Sequence, residues 1–309
     1  MAVALKSVGV IRNPRSHGNR GAAGADGPEG VRQVEPMTPA ALARDLRDFA
    51  ADGVELIIID GGDGTVREVL SALPAAYGEA QPTLAILPSG KTNILALDLG
   101  AKGGWSLEAA LRKAREPEPV YKFRSPLEIT WADGGRAPVR GFVFGMGAFV
   151  KATQMAQSVH RMGAYHSLAV GMTITGAAMG ALFGGARDAW RRGVQVAARL
   201  DDEPFRRGAR FVLMATTLKR LPFGLKPFGP PTDEMKVLDV DAPPRKLALA
   251  IPPVMAGKKP AWLERNGYRR RAAERLSVAS AEPIIVDGEI FPGGEVIVRK
   301  GPTLRFLAP

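Results

Sequence analysis

The sequence predicts an α/β fold in which an N-terminal doubly wound α/β domain precedes a C-terminal β-sandwich-like domain. Three observations lead to this prediction. A chain of 309 residues is long enough for two domains. Up to about residue 125, apolar strand-like runs alternate with helix-like patterns, which is typical of a parallel sheet covered by helices. From about residue 126 onward, short β-like runs with frequent turns take over, and this pattern indicates a sandwich or barrel.

Strands in both domains are predicted from short apolar runs that are bounded by turn residues. The N-terminal strands are expected at residues 8–11, 31–34, 55–60 and 83–87. The C-terminal strands are expected at residues 127–131, 139–144, 194–200, 211–216, 246–250, 276–280, 284–286, 295–299 and 303–307.

Helices of the N-terminal domain are predicted from capping residues and helical spacing. Thr38 and Pro39 are typical of an N-cap followed by proline at the first helical position. Ser106 predicts a second cap, for a helix that ends before the proline-rich segment after it. Residues 66–73 predict a further helix, which should end at Pro74 because proline removes a backbone donor.

Residues 163–186 form an unusual segment because they carry no charged side chain. They also contain two GxxxG spacings, which can mark close helix packing in membranes. Many glycines dilute the apolar character, so an ordinary helix with a glycine tail is the favoured interpretation. An interfacial or dimerising helix and a membrane span remain alternatives.

Composition excludes several kinds of site. The chain has no cysteine, which excludes a disulfide framework, a thiolate nucleophile and Cys-ligated metal. Its three scattered histidines, His17, His160 and His166, argue against a multi-His metal site. The first residues lack the apolar core of a secretory signal, so we expect a cytoplasmic protein.

The charge is uneven along the chain. The net charge is +11, and the whole excess lies in residues 151–309. A basic half suggests an anionic partner such as a membrane surface, nucleic acid or phosphorylated ligand, although a high-GC genome also enriches arginine. Aromatic residues make up 6% of the chain and no stacking motif is visible, so we expect no nucleic-acid partner.

The strongest motif stands between a predicted buried strand and a predicted helix. It consists of Gly61, Gly62, Asp63, Gly64 and Thr65. Glycines let a ligand approach the backbone closely, and the N–H groups of a helix start can bind phosphate oxygens. An acidic residue in such a loop suggests Mg²⁺ that bridges phosphates. A purely structural turn is the alternative, although such a turn needs a single glycine.

Two more loops follow predicted strands, and the carboxyl ends of strands are where ligands bind in open α/β sheets. The first loop contains Asn13, Pro14, Arg15 and Ser16. The glycine motif described above is the second loop along the chain. The third loop begins at Pro88 and contains Ser89, Gly90, Lys91, Thr92 and Asn93. Three such loops at successive strand ends predict one binding crevice.

Together these residues resemble the diacylglycerol kinase catalytic family, which includes bacterial lipid kinases and sphingosine kinases. The most specific match is the segment GGDGTVREV, which resembles the family's GGDGTxNEV. The first loop resembles N-P-x-S-G, and the third resembles P-x-G-T-x-N-D. Thr38 matches a nucleotide-contacting threonine, and Asp287-Gly288-Glu289 resembles a late D-G-E motif. The resemblance covers nearly the whole chain.

The resemblance implies an ATP- and Mg²⁺-dependent kinase that transfers the γ-phosphoryl group to a hydroxyl of a diacylglycerol-like or related lipid. It assigns Asp287 as the general base and Asp63 as the metal ligand. Lys91, which stands where the family usually has threonine, either places a positive charge against the phosphates or pairs with Asp63 and empties the metal site. Glu68 and Glu289 join the three loops and Thr38 among the residues expected at the nucleotide. The last strands should return to the first domain. The first domain then comprises residues 1–125 with about 298–309, and the lipid-substrate domain comprises residues 126–297.

Departures from the family pattern leave alternatives open. Lys91 replaces a usual threonine, Ile94 replaces a frequent aspartate, and residues 120–126 lack an acid that bacterial members often have. One alternative is therefore a catalytically weak or inactive member that binds nucleotide or lipid as a regulator. An NAD kinase-like enzyme is a further alternative because that family also carries GGDG. A lipid kinase should associate peripherally with an anionic membrane surface, and a homodimer is also expected by analogy.

Overall fold

The computed structural model describes residues 7–20, 30–101, 104–161 and 187–309. The chain divides into two compact units, one of Met1–Pro126 with Pro302–Pro309 and the other of Leu127–Gly301. The first unit contains a mostly parallel sheet with helices, and the second contains an antiparallel sheet. The predicted fold class is therefore confirmed.

The first unit consists of a six-stranded sheet and four α-helices in the described residues. The strands are β1 (Val8–Arg12), β2 (Val31–Val34), β3 (Leu56–Gly61), β4 (Thr83–Pro88), β5 (Tyr121–Arg124) and, from the end of the chain, β17 (Leu304–Leu307). The helices are α1 (Pro39–Ala51), α2 (Asp63–Tyr77), α3 (Ile94–Asp98) and α4 (Leu107–Ala114). The strand order is β2-β1-β3-β4-β17-β5, and the last pair alone is antiparallel.

The centre of this sheet is buried on both faces, as expected for a parallel sheet covered by helices. Ile57 and Ile58, neighbours on β3 that point to opposite faces, are both completely buried. One face packs against Ala110 and Leu111 of α4. Gly9 of β1 lies against the ring of Phe49 on α1, where a Cβ at position 9 would collide.

Helix starts agree with the sequence predictions, whereas one helix end does not. Thr38 caps α1 by accepting a hydrogen bond from the Ala41 N–H at 3.1 Å, and Ser106 caps α4. The predicted end of α2 at Pro74 is wrong, because the helix continues through the proline to Tyr77. The helix face around Leu73 is fully buried, and the Tyr77 hydroxyl donates to the Val54 carbonyl at 3.2 Å, so packing outweighs the lost backbone bond.

The second unit is built around an eleven-stranded antiparallel sheet that branches at one long strand. Its strands are β6 (Leu127–Trp131), β7 (Val139–Gly141), β8 (Val143–Gly147), β9 (Val194–Leu200), β10 (Arg206–Thr216), β11 (Met235–Asp241), β12 (Tyr268–Ala273), β13 (Arg275–Ser280), β14 (Ile284–Val286), β15 (Glu289–Phe291) and β16 (Gly294–Lys300). Its helices in the described residues are α5 (Ala148–Arg161), α6 (Arg187–Arg191), α7 (Leu247–Met255) and α8 (Ala261–Arg265). Strand β10 pairs with β8, β9 and β11.

Two predicted strands of this unit differ from the structure. The run 139–144 is divided into β7 and β8 at Phe142, whose backbone N–H donates to the Asp287 side chain. The predicted strand at 246–250 is wrong, because these residues begin helix α7. Its short apolar run suggested a strand, but Leu247, Ala250 and Val254 face the protein together at helical spacing.

The chain returns to the first unit at its end, as predicted. Strand β17 lies between β4 and β5, parallel to the former and antiparallel to the latter. Strand β16 still pairs with β13 and β6 of the second sheet, so the return begins after Lys300.

In the described parts of the chain, no helix is both long enough and apolar enough to cross a membrane. The segment 163–186, for which a helix was predicted, lies outside the described residues.

Candidate functional site

The three predicted loops leave the first sheet at one edge. Strands β1, β3 and β4 are parallel neighbours, and their registers align Arg12 with Asp60 and Gly61 with Pro88. The first loop (residues 13–16), the second loop (residues 61–65) and the third loop (residues 88–93) therefore begin side by side, where ligands bind in open α/β sheets.

Asn13 joins the first loop to the second. Its side-chain Nδ2 donates to the Thr65 Oγ1 at 2.8 Å, and its backbone N–H donates to the Asp60 carbonyl at 2.9 Å. The Asn13 Oδ1 also accepts the backbone N–H of Arg15 at 2.9 Å. One amide side chain thus sets both the shape of its own loop and its distance from the second.

Two glycines bring the second and third loops into backbone contact. A Cβ placed on Gly90 would lie 2.5 Å from the Cα of Gly62, and one on Gly62 would lie 3.1 Å from the Cα of Gly90. Position 90 therefore needs glycine for packing between the loops, and a side chain at position 62 would press against the backbone of the third loop. By contrast, a Cβ on Gly64 would meet no heavy atom within 4 Å.

Asp63 fastens the third loop to helix α2. It is the first residue of that helix, and its carboxylate accepts hydrogen bonds from the Thr92 hydroxyl and, at 2.8 Å, from the Ile94 backbone N–H. Burial raises the pKa of Asp63, and the hydrogen bonds from Thr92 and from backbone N–H groups at the start of α3 oppose that rise. The predicted metal ligand therefore has a structural role between two loops.

Asn93 closes the third loop on itself. Its Oδ1 accepts the Gly90 N–H at 2.7 Å, and its Nδ2 donates to the Pro88 carbonyl at 3.0 Å. Its backbone is left-handed, with φ of 50°, a conformation that asparagine tolerates better than most residues. Lys91, inside the closed loop, is exposed.

A polar network beneath the loops was not foreseen from the sequence. Arg12 donates to Glu35 at 2.6 Å, and its Nε lies 3.6 Å from Asp60. Asp60 accepts a hydrogen bond from Ser89 of the third loop, and Asn19 donates to the Asp60 carbonyl at 3.3 Å. The sequence did carry a signal for this network, namely the polar residues Arg12 and Asp60 at the ends of the apolar strands β1 and β3. Such positions lie at the edge of the sheet where ligands bind.

The described part of the first unit contains a cleft of about 190 Å³ beside the first two loops. Five of the predicted residues line it, namely Asn13, Arg15, Thr38, Thr65 and Glu68. Six lining residues were not predicted, namely Ile11, Arg12, Pro36, Met37, Pro39 and Leu42. The remaining predicted residues of the first and third loops do not line this cleft, nor do Gly61, Gly62, Asp63 and Gly64. The cleft combines cationic side chains with an apolar wall that includes the half-exposed Met37.

The described residues contain no cluster of three or more His, Cys, Asp or Glu side chains that could hold a metal ion. The carboxylate of Asp63 already accepts two donors from the third loop and its flanking helix. In the segment where family members often have an acid, Arg124 pairs with the fully buried Asp98 of α3.

Asp287, the predicted general base, lies in the second unit at the turn between β14 and β15. Asp287 and Gly288 have φ of 45° and 85°, so both central residues of this two-residue hairpin are left-handed, as in a type I′ turn. The Asp287 carboxylate accepts backbone N–H groups from Phe142 at 3.0 Å and from Val143 at 2.8 Å. The hairpin thereby fixes the orientation of the carboxylate. The neighbouring Glu289 is exposed.

Comparison with known proteins finds a family match within the first unit. The family model described as diacylglycerol kinase catalytic domain matches residues 8–120, which include all three loops. The chain is 36% identical over 78 residues to a protein named probable lipid kinase YegS-like from Cronobacter sakazakii, a match that covers 25% of each chain. It is 39% identical over 72 residues to lipid kinase YegS of Escherichia coli K12, covering 23% of each.

A solved structure shares the fold of both units. A crystal structure of a diacylglycerol kinase from Bacillus anthracis superposes with a TM-score of 0.63 at 16% identity, covering 99% of this chain and 98% of that one. Such a low identity shows the fold alone. The curated relatives are matched over about a quarter of their length. The resemblance predicted from the sequence is thus confirmed for residues 8–120.

Proposed function

We propose that this chain, whose residues 8–120 match the family model of the diacylglycerol kinase catalytic domain, is a lipid kinase that transfers the γ-phosphoryl group of ATP to a lipid hydroxyl. The observation that carries the proposal is the joining of three loops at one sheet edge within the matched residues. Asn13 bonds to Thr65 and Asp63 bonds to Thr92, so the three loops form one connected surface.

The nucleotide is proposed to bind along this surface. The start of the fifteen-residue helix α2 offers backbone N–H groups and a positive dipole end to phosphate oxygens. Arg15 and the exposed Lys91 add positive charge on either side of it. The open space at Gly64 supports a close approach of phosphate to the backbone.

In the proposed reaction, the oxygen of the lipid hydroxyl attacks the γ-phosphorus. An oxygen–phosphorus bond forms, the bond between the γ-phosphorus and the bridging oxygen breaks, and ADP leaves. Asp287 takes the hydroxyl proton, for which its carboxylate is held by the two backbone N–H groups of the second unit. The acceptor is proposed to be a diacylglycerol-like lipid, since the relatives are named lipid kinases.

Mg²⁺ enters the proposal as the counterion of the nucleotide. Mg²⁺ is commonly held by substrate phosphates together with one or two carboxylates. The described residues offer no cluster of acids around Asp63.

The alternative is a regulator that binds nucleotide or lipid without efficient transfer. The surroundings of Asp63 favour the regulator. The carboxylate of Asp63 accepts hydrogen bonds from Thr92 and Ile94, and no acidic cluster accompanies Asp63 in the described residues.

The test is transfer of label from γ-labelled ATP into a total-lipid extract, with and without Mg²⁺. Two variants run beside the wild type, Asp63→Asn and Thr92→Ala. Both weaken the link between the second and third loops, but Asp63→Asn alone removes the carboxylate. If the carboxylate serves the chemistry, Asp63→Asn loses labelled lipid far more than Thr92→Ala.

Three results would contradict parts of the proposal. If both variants lose labelled lipid to the same extent, Asp63 has a structural role alone. Bound ATP without labelled lipid in the wild type would favour the regulator. Label in a dinucleotide and none in lipid would favour an NAD kinase-like activity.

A further inference from the structure

Helix α7 has no polar side chain, although three of its nine residues are exposed. Its sequence is LALAIPPVM, and Leu247, Ala250 and Val254 form the face that packs inward. On the opposite face Leu249 is 66% exposed, and Ala248 and Pro252 are exposed beside it. Surface helices of globular proteins normally carry polar residues on their outer face, so this helix exposes an apolar face that needs a reason.

A second apolar side chain belongs to the same region of the second unit. Phe223 lies in a 3₁₀ turn (Pro222–Gly224) and is 65% exposed. This turn is tied to the end of α7, because the Lys226 backbone N–H donates to the Met255 carbonyl at 2.8 Å.

Both ends of α7 carry exposed cations. Arg245 and Lys246 precede the helix, and Lys258 and Lys259 follow it. Residues 242–263 contain these four cations and no acidic residue. The net positive charge of the second half of the chain is therefore concentrated, in part, around an exposed apolar face.

The helix is fixed to the protein at its ends. The Tyr268 hydroxyl donates to the Arg245 carbonyl at 2.8 Å. The buried Arg270 donates to the carbonyls of Val254 and Lys258, each at 2.8 Å. These bonds hold the segment in place with its apolar face outward, so exposure of Leu249 does not depend on fraying of the helix.

We infer that helix α7 with the Pro222–Gly224 turn is a membrane-docking surface for an anionic lipid bilayer. Apolar side chains such as Leu249 and Phe223 enter the interface, while the flanking lysines and arginine contact acidic headgroups. Charge complementarity selects this occupant over an uncharged or basic protein surface. The surface is built from residues of the second unit alone.

Vesicle sedimentation without ATP tests the inference, so its result does not depend on whether the proposed kinase activity is correct. The wild type should bind vesicles of phosphatidylglycerol and phosphatidylcholine more tightly than phosphatidylcholine vesicles, and added salt should weaken the binding. Lys258→Gln with Lys259→Gln should weaken binding by about thirtyfold, as expected for two cations beside an anionic leaflet. Leu249→Gln should weaken it about tenfold.

Matched controls lie outside the proposed surface. Arg299→Gln with Lys300→Gln removes the same charge from exposed positions of β16. Val120→Gln replaces an apolar side chain that is 52% exposed in the first unit. Circular dichroism should show unchanged folding for all variants, because every substituted side chain is exposed.

Three outcomes would overturn the inference. The first is equal binding of the wild type to both kinds of vesicle. The second is equal loss of binding in the α7 variants and their controls. The third is self-association of the wild type that Leu249→Gln abolishes while vesicle binding stays unchanged, since the face would then join two copies of the chain.

Discussion

Asp63 and Thr92 are hydrogen-bonded through their side chains, 29 residues apart in the chain. The bond connects the start of helix α2 to the third loop, next to the backbone contact of Gly62 with Gly90. The acidic residue of the most specific motif is thus also a part of the architecture. Substitution of Asp63 therefore changes loop geometry and charge at once, and variants of its partner are needed to separate the two effects.

Thr92→Val should lower the free energy of unfolding by about 1.5–3 kcal/mol, the usual contribution of a hydrogen bond to a charged group. Thr92→Ser should retain most of that stability because it keeps the hydroxyl. Urea unfolding of both variants checks this expectation. If the two unfold at the same urea concentration, the bond contributes nothing to stability.

Gly90→Ala and Gly64→Ala should have opposite effects on stability. A methyl group added at position 90 would lie 2.5 Å from the Cα of Gly62, so the two loops must separate and the protein should lose stability. At position 64 a methyl has open space within a helix, and alanine there should stabilise by up to about 1 kcal/mol. Thermal unfolding of the two variants measures the difference.

Gly64→Ala should nevertheless weaken ATP binding at least tenfold, because its methyl enters the space proposed for phosphate. Calorimetry with ATP measures this effect in a variant that stays folded. Unchanged affinity would show that the nucleotide does not approach the start of α2.

Asp287→Asn should reduce the rate of phosphoryl transfer by about 10²–10⁴, the range expected for loss of a general base. Asparagine tolerates the left-handed backbone at this position, so the hairpin should persist. Asp133→Asn is the matched control, since Asp133 is an exposed turn carboxylate that accepts the Gly135 N–H at 3.0 Å. A loss below tenfold in turnover would assign Asp287 to the turn alone.

Asp98→Ala should destabilise the protein by about 3–5 kcal/mol, because it leaves the buried Arg124 guanidinium without its carboxylate. The double variant Asp98→Leu with Arg124→Met should recover most of that loss, since apolar replacement of a buried pair is often nearly neutral. Denaturant unfolding of the single and double variants decides the matter. A double variant as unstable as Asp98→Ala would mean that the pair is essential for packing.

Local signals in the sequence predicted much of the first unit. The caps at Thr38 and Ser106 depend on neighbouring residues, and both were predicted correctly. Helix α7 was not predicted, because a short continuous apolar run fits a strand equally well and only packing selects the helix. The same limit applied to the candidate site. Its three loops were predicted from composition, whereas the pairing of Arg12 with Asp60 joins strands far apart in the chain and has no local signature.

Strand β17 has a consequence for synthesis of the protein. It occupies an inner position of the first sheet, between β4 and β5, although it follows the whole second unit in the chain. During translation, the first unit cannot complete its sheet until residues 304–307 have left the ribosome. We therefore expect the nascent chain to expose the edges of β4 and β5 while the second unit is being made. In a fragment that ends at residue 126 those edges would stay exposed, and we expect such a fragment to aggregate.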